Sequence, residues 1–265
     1  VTSNAANLTI LMPPAIGAQP ANVTICPGSS AIFAVGANGS NLNYKWQVNN
    51  GSGFVDISSS DPLYVGNTSP QLRIPRTSVP MDGNLYRCIV SGSCTPTVTS
   101  SSATLHINTL PGITVQPATA VTACEGSTFS ISLTGSGTGV SYQWQENAGS
   151  AFSNITNGGV YSGATTASLT ITGVTAMMNG YVYRAIVSGT CSPAVTSDNT
   201  TITVNTAPVV TTQPANDTLC AGGTASFSVA ASGTGPLTYQ WQIFNGATWN
   251  NIPAIAPFSG TTSAT

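Results

Sequence analysis

Six cysteines are the residues of this 265-residue chain best placed for covalent chemistry. Five of them fall at two recurring positions. Cys26, Cys124 and Cys220 each stand two residues before a glycine, and Cys94 and Cys191 each lie in a later turn. Both classes recur at a step of about 97 residues, the spacing of a small domain used repeatedly. Paired thiols would be cross-links and would imply an oxidising compartment. A zinc site is a poor reading, because there is no Cys-x-x-Cys and His106 is the single histidine. The sixth cysteine, Cys88, is outside both classes and reads as a buried, unpaired thiol.

The other reactive residue types do not assemble into a site. The seven acids are Asp56, Asp61, Asp82, Glu125, Glu146, Asp198 and Asp217, and none is spaced for acid–base work or calcium binding. His106 reads as a solvent-facing strand residue, not a base. No Gly-x-Ser-x-Gly elbow accompanies the many serines. The run Gly135-Ser136-Gly137-Thr138-Gly139 does not lead from a strand into a helix, so it is no phosphate cradle. The chain therefore reads as a non-enzyme without catalytic, cofactor-binding or metal-ligating residues.

The elements that must position the cysteines follow the same step. Tyr44-Lys45-Trp46-Gln47 returns as Tyr142-Gln143-Trp144-Gln145 and Tyr239-Gln240-Trp241-Gln242. Gln19-Pro20 returns as Gln116-Pro117 and Gln213-Pro214. This register divides the chain into a terminal strand of a preceding unit (1–10), two full units (11–108 and 109–205) and the first part of another (206–265). Within units, apolar residues alternate at Ala31, Phe33, Val35 and Ala37, at Phe129, Ile131 and Leu133, and at Ala225, Phe227 and Val229. Period two marks half-buried strands, and Gly, Asn, Ser and Pro clusters supply turns between them. In the first full unit, strands are expected on both sides of Pro20 and near 31–37, 42–48, 71–74, 84–90 and 97–107. No helix is expected. Short strands at this density argue for an all-β fold of tandem antiparallel sandwiches. Prolines at each junction predict stiff links.

Composition narrows the setting. Charged residues are 5% of the chain and the net charge is −2. That removes the electrostatic case for nucleic acid or an anionic membrane. Ser, Thr, Asn and Gly give a neutral surface suited to an extracellular chain. No apolar run is long enough to span a membrane. No signal peptide opens the sequence, so a secreted protein would have its true N-terminus elsewhere.

Here the residues resemble a known pattern. Trp46, about eleven residues after Val35, sits where the immunoglobulin fold has its strand C tryptophan. Asp82-Gly83-Asn84-Leu85-Tyr86-Arg87-Cys88 resembles that fold's entry to strand F, with Tyr86 as its tyrosine corner, and Asn179 to Ala185 repeats it with Tyr183. The strand B cysteine is missing, with Val35 in its place, so the usual inter-sheet disulfide is absent. More narrowly, residues 142–197 resemble the Ig-like repeats of large Bacteroidetes-type surface adhesins and fibre proteins. That resemblance implies a bacterial cell-surface location, attachment functions and export by a dedicated secretion system. Asp217-Thr218-Leu219 resembles an O-glycosylation motif of those bacteria, with Thr218 as acceptor.

In such a sandwich Trp46, Trp144, Trp241, Tyr86 and Tyr183 are core. Phe54, Phe152 and Trp249 recur after strand C and are expected to cover the sandwich edge in preference to stacking on sugars. The two cysteine classes come at opposite ends of each unit, roughly 25–30 Å apart at about 3.3 Å per residue, whereas a disulfide needs Cα atoms within about 7 Å. The leading scheme is a staple between units, Cys26 to Cys191. Cys94, Cys124 and Cys220 would then pair with neighbouring units outside the sequence. Pairing within units, Cys26–Cys94 and Cys124–Cys191, and free thiols remain the alternatives. The expected function is structural: a segment of an extracellular fibre or adhesin whose partners are neighbouring repeats or copies of itself. The rivals are a module binding surface glycans or proteins and the stalk of a secreted enzyme.

Overall fold

Alternation along the chain becomes alternation of burial. In the strand Ala31–Ala34, Ala31 and Phe33 are buried while Ile32 and Ala34 are exposed. The computed structural model describes residues 1–265. It holds strands throughout, no α-helix, and two short 3-10 turns at Val79–Met81 and Ala176–Met178.

The first repeat contributes β1 (Ala15–Ala18), β2 (Val23–Ile25), β3 (Ala31–Ala34), β4 (Gly36–Asn38), β5 (Asn43–Asn49), β6 (Phe54–Asp56), β7 (Gln71–Ile74), β8 (Leu85–Ser91), β9 (Val98–Thr99) and β10 (Ala103–Ile107). One sheet runs β2-β10-β8-β5-β6, with β9 also on β8; β3 pairs with β7 and β1 with β4. The β2–β10 pair is parallel, and β8 lies antiparallel to β5 with Trp46 opposite Cys88. Phe33, Trp46, Leu72, Ile74, Tyr86, Cys88 and Leu105 form the buried core.

The second repeat follows the same plan: β11 (Gly112–Val115), β12 (Ala120–Cys124), β13 (Thr128–Ser132), β14 (Thr134–Ser136), β15 (Ser141–Asn147), β16 (Ser153–Asn154), β17 (Tyr161–Ser162), β18 (Ser168–Thr172), β19 (Val182–Ser188), β20 (Val195–Thr196) and β21 (Thr200–Asn205). One sheet runs β12-β21-β19-β15-β16 and another β13-β18-β17. Residues 206–265 add β22 (Val209–Thr212), β23 (Ala230–Ser232), β24 (Gln242–Phe244) and β25 (Trp249–Asn251). By contact the chain divides into two compact units. One is Val1–Val115 with Thr134–Ser141 and Val187–Val195; the other is Gln116–Leu133 with Tyr142–Ile186 and Thr196–Thr265.

Several expectations need correction. The run 31–37 is two strands, not one. The Val35 N–H turns to the Pro70 carbonyl, and beyond it β4 changes partner from β7 to β1. Gly36 allows the change, because a Cβ there would come within 3.0 Å of the Ala18 Cβ. The run 97–107 is likewise split. At the break the buried Ser100 hydroxyl accepts the Cys88 N–H at 2.9 Å and donates to the Ser101 carbonyl at 2.8 Å. Residues 1–10, expected as a strand, form none and are exposed, because a strand needs a ladder partner and they have none. The alternating residues 225–229 also form no strand. Their counterparts β3 and β13 owe their ladders to β7 and β18, and residues 225–229 pair only through the Val229 N–H to the Ala264 carbonyl.

Candidate functional site

In the two full repeats each cysteine class sits at or shortly after the end of a strand. Cys26 directly follows β2, and Cys191 lies in the turn after β19. The two are bonded in a disulfide with Cα atoms 5.7 Å apart and 165 residues between them in sequence. Cys26 is half-buried and Cys191 is buried, both within the first compact unit. Cys94, Cys124 and Cys220 are free thiols; Cys94 donates to the Leu11 carbonyl at 3.5 Å, while Cys124 and Cys220 are exposed. Cys88 is a buried free thiol whose pKa burial pushes up to about 11, so it stays protonated and unreactive near neutrality.

Beside the cysteines, one side-chain assembly appears in both full repeats. On β8 the Arg87 Nε donates to Gln47 Oε1 at 2.8 Å, and Gln47 Nε2 donates to Asp56 Oδ1 at 2.8 Å. The guanidinium lies 3.9 Å from the centre of the Phe54 ring. On β19, Arg184 donates to Gln145 at 2.8 Å, Gln145 donates to Asn154 at 2.9 Å, and the guanidinium lies 3.8 Å from the Phe152 ring centre. One face of each phenylalanine ring is therefore taken by arginine. Hydrogen bonds from Gln47 and Lys45 hold the Asp56 carboxyl below the usual carboxylate range. The Lys45–Asp56 pair is exposed at 3.1 Å and adds little stability.

Sequence reasoning missed this assembly, since Arg87 and Gln47 are 40 residues apart and only pairing of β5 with β8 sets them opposite. Asp82 Oδ1 accepts the Ile107 N–H at 2.7 Å, with His106 Nδ1 4.0 Å away. No group of three or more His, Cys, Asp and Glu side chains is placed to hold a metal. No helix is long and apolar enough to cross a membrane.

A family model described as a domain of unknown function (DUF8696) matches residues 113–206. No curated protein matches the chain. Among solved structures, a variant of three titin Ig domains carrying Glu-to-Ala changes aligns with TM-score 0.65 and 16% identity, covering 92% of this chain and 83% of that one. Sidekick-1 immunoglobulin domains 1–5 align with TM-score 0.54 and 22% identity, covering 85% of this chain and 46% of that one. The chain has a tandem immunoglobulin-like fold.

Against that fold, the tie between the two sheets is unusual. The usual inter-sheet disulfide is absent, because Val35 and Leu133 occupy the strand B positions opposite Cys88 and Ala185. The second immunoglobulin-like repeat carries a polar tie instead. Tyr161, on β17 in one sheet, donates its hydroxyl to Glu146 on β15 in the other. The Tyr161 and Tyr183 hydroxyls are 3.2 Å apart, and their rings meet edge to face at 6.3 Å. In the first repeat Val48 replaces Glu146, and the buried Tyr86 hydroxyl has no hydrogen-bond partner. Neither tyrosine makes the backbone bond that a tyrosine corner implies.

Removing a tyrosine hydroxyl should thus act oppositely at Tyr86 and at Tyr161. Tyr86→Phe removes an unpartnered buried hydroxyl and is expected to be neutral or stabilising. Tyr161→Phe strips partners from Glu146 and Tyr183, at a cost of about 1–3 kcal/mol. Denaturant unfolding of each variant measures both signs. Alkaline pH tests the tie independently. Burial pushes the Tyr183 pKa up to about 12, and burial and the Glu146 carboxylate raise that of Tyr161 further. Folding therefore favours the neutral phenols. Their contribution is fully present below the unfolded tyrosine value of about 10 and is lost as pH rises through the folded values. Unfolding midpoints should fall above about pH 10, and less steeply in Tyr161→Phe.

Proposed function

We propose that this chain is a structural, non-enzymatic segment of an extracellular fibre or cell-surface adhesin of the Bacteroidetes type. Its immunoglobulin-like repeats span 11–108 and 109–205, with 206–265 matching the first part of a further repeat. Disulfides join each repeat to the next. The observation that supports this most is the Cys26–Cys191 bond, which links two inequivalent positions in successive repeats. A cross-link between inequivalent positions can be repeated along an array without limit. The free thiols of Cys94, Cys124 and Cys220 stand at the same two positions, and neighbouring repeats supply their partners.

The work done is mechanical. Each repeat contacts mainly its neighbours, and covalent joints resist shear and proteolysis. A disulfide and a surface of low charge suit an oxidising exterior. Thr218, exposed beside Asp217, carries sugar in this reading. Partners are neighbouring repeats or further copies, together with surface glycans or proteins.

Disulfide mapping of the native protein tests the proposal. The expected result is a Cys26–Cys191 peptide, with Cys124 bound to a cysteine outside these residues. Cys124 joined to Cys191, or Cys26 joined to Cys94, would overturn it. Intact mass without added sugar at Thr218 would remove the glycosylation.

A further inference from the structure

The Cys26–Cys191 bond closes a loop that holds most of both full repeats. Its ends are 165 residues apart in sequence. Strands β3 to β19 lie inside it, and with them the buried Trp46 and Trp144. In the two repeats only β1 and β2 precede the loop, and only β20 and β21 follow it. The repeats are therefore joined twice, by the disulfide and by the backbone at Asn108–Thr109.

The backbone joint has no slack. The Asn108 N–H donates to the Ile25 carbonyl at 2.9 Å, next to Cys26. The following residue is already held by the second repeat. There the Thr109 N–H donates to Thr138 Oγ1 at 2.9 Å, and the Thr138 N–H donates to the Thr109 carbonyl at 3.2 Å. The disulfide joint is as short, with 5.7 Å between its Cα atoms. Tension applied at the chain ends reaches Cys26 through β1 and β2, and Cys191 through β21 and β20. While the bond is intact it fixes the distance between those two points, whatever the folded parts do. The strands on the taut path are anchored in their sheets: β2 pairs in parallel with β10, from Val23–Leu105 to Ile25–Ile107, and β21 with β12, from Thr201–Ala120 to Asn205–Cys124.

We propose that the Cys26–Cys191 disulfide is a force bypass and a store of length under redox control. With the bond intact, tension crosses from β2 through the two sulfurs to β20, and β3 to β19 are shielded from it. Forced unfolding is governed by the unfolding rate under load, and shielded sandwiches keep their unloaded rate. Reduction transfers the tension to Asn108–Thr109 and so to the sandwiches themselves. Two molecules of a small thiol supply the two electrons and two protons of that step. They leave joined as one disulfide, and Cys26 and Cys191 become thiols. Cys191 is buried and Cys26 half-buried, so a thiol reaches the sulfurs slowly in the folded chain. The reserve is large, because the enclosed residues extend to about 540–590 Å at 3.3–3.6 Å each. The inference rests on the fibre reading for the source of the tension; the path of the tension follows from the bond alone.

Single-molecule stretching of the full chain between handles at Val1 and Thr265, with and without dithiothreitol, tests it. Without reductant, lengthening should come only from residues outside the loop. After reduction, an additional contour length of about 540–590 Å is expected, released in two similar steps, one for each sandwich. Cys191→Ser should give the long trace with no reductant present, and Cys124→Ser should give the short one. Reduction of the unsubstituted chain makes the test independent of how well the Cys191→Ser variant folds. The long trace from the oxidised, unsubstituted chain would overturn the proposal, because the bond would then shield nothing. So would a reduced chain that lengthens no further, because the sandwiches would then withstand the tension unaided. A Cys124 that stays free in the native protein would sink the repeated joints of the fibre reading and leave every one of these traces unchanged.

Discussion

Trp144→Ala is expected to cost the second repeat about 3–5 kcal/mol. The side chain is fully buried, and its indole Nε1 donates to the Thr166 carbonyl at 2.9 Å. Its backbone is equally committed: the N–H bonds the Ala164 carbonyl and the C=O accepts the Ile155 N–H. Alanine keeps the backbone bonds, but it leaves a large cavity and an unmatched Thr166 carbonyl. Domains of this size are stable by about 5–15 kcal/mol, so the repeat approaches the unfolding threshold. Trp241→Ala should cost clearly less. The Trp241 indole makes the same bond, to the Ser263 carbonyl at 2.9 Å, but its ring is only half-buried. Denaturant titration of both variants checks the pair. Equal losses would show that enclosure of the ring does not set the cost.

Cys191→Ala is expected to lower stability by about 2–5 kcal/mol, the usual loss of a native disulfide. The bond closes a loop of 165 residues, so the unfolded chain gains considerable freedom when it is absent. Cys26→Ala and full reduction should give the same drop in melting temperature, since all three remove one cross-link. In the 265-residue chain by itself, Cys124→Ala and Cys220→Ala alter exposed thiols that have no partner among these residues and should stay within about 0.5 kcal/mol. Cys191 is buried, so reduction under native conditions should be slow and should quicken in mild denaturant. Thermal melts of the four alanine variants, with and without reductant, distinguish these outcomes. A melting temperature insensitive to reductant would count against a mechanical role for the bond.

Much of the fold was legible because period-two alternation and a repeated Trp-Gln phrase are local signals. Ala31 and Phe33 went inside as the alternation required, and Trp46 and Trp144 became fully enclosed. Strand ends were less legible. The divisions at Val35 and Ser100 depend on which carbonyl or hydroxyl receives a bond from far along the chain. The Glu146–Tyr161–Tyr183 tie was also hidden, because an isolated glutamate on a strand reads as solvent-facing. Comparing repeats offered one clue: Glu146 falls where the first repeat has Val48 and the third has Ile243. A polar residue at an otherwise apolar position needs a partner.

Sequence alone determined the all-β class, the step between repeats and the burial of Trp46, Trp144, Tyr86 and Tyr183, since each follows from residue type and spacing along one strand; Trp241, expected in the core with them, is only half-buried. Tertiary structure alone decided which groups meet: Cys26 with Cys191, Arg87 and Arg184 with their glutamines and phenylalanines, Tyr161 with Glu146 across two sheets. Those meetings depend on strand register and sheet order, which are set by the summed ladder bonds and packing of whole strands. No local window carries that sum.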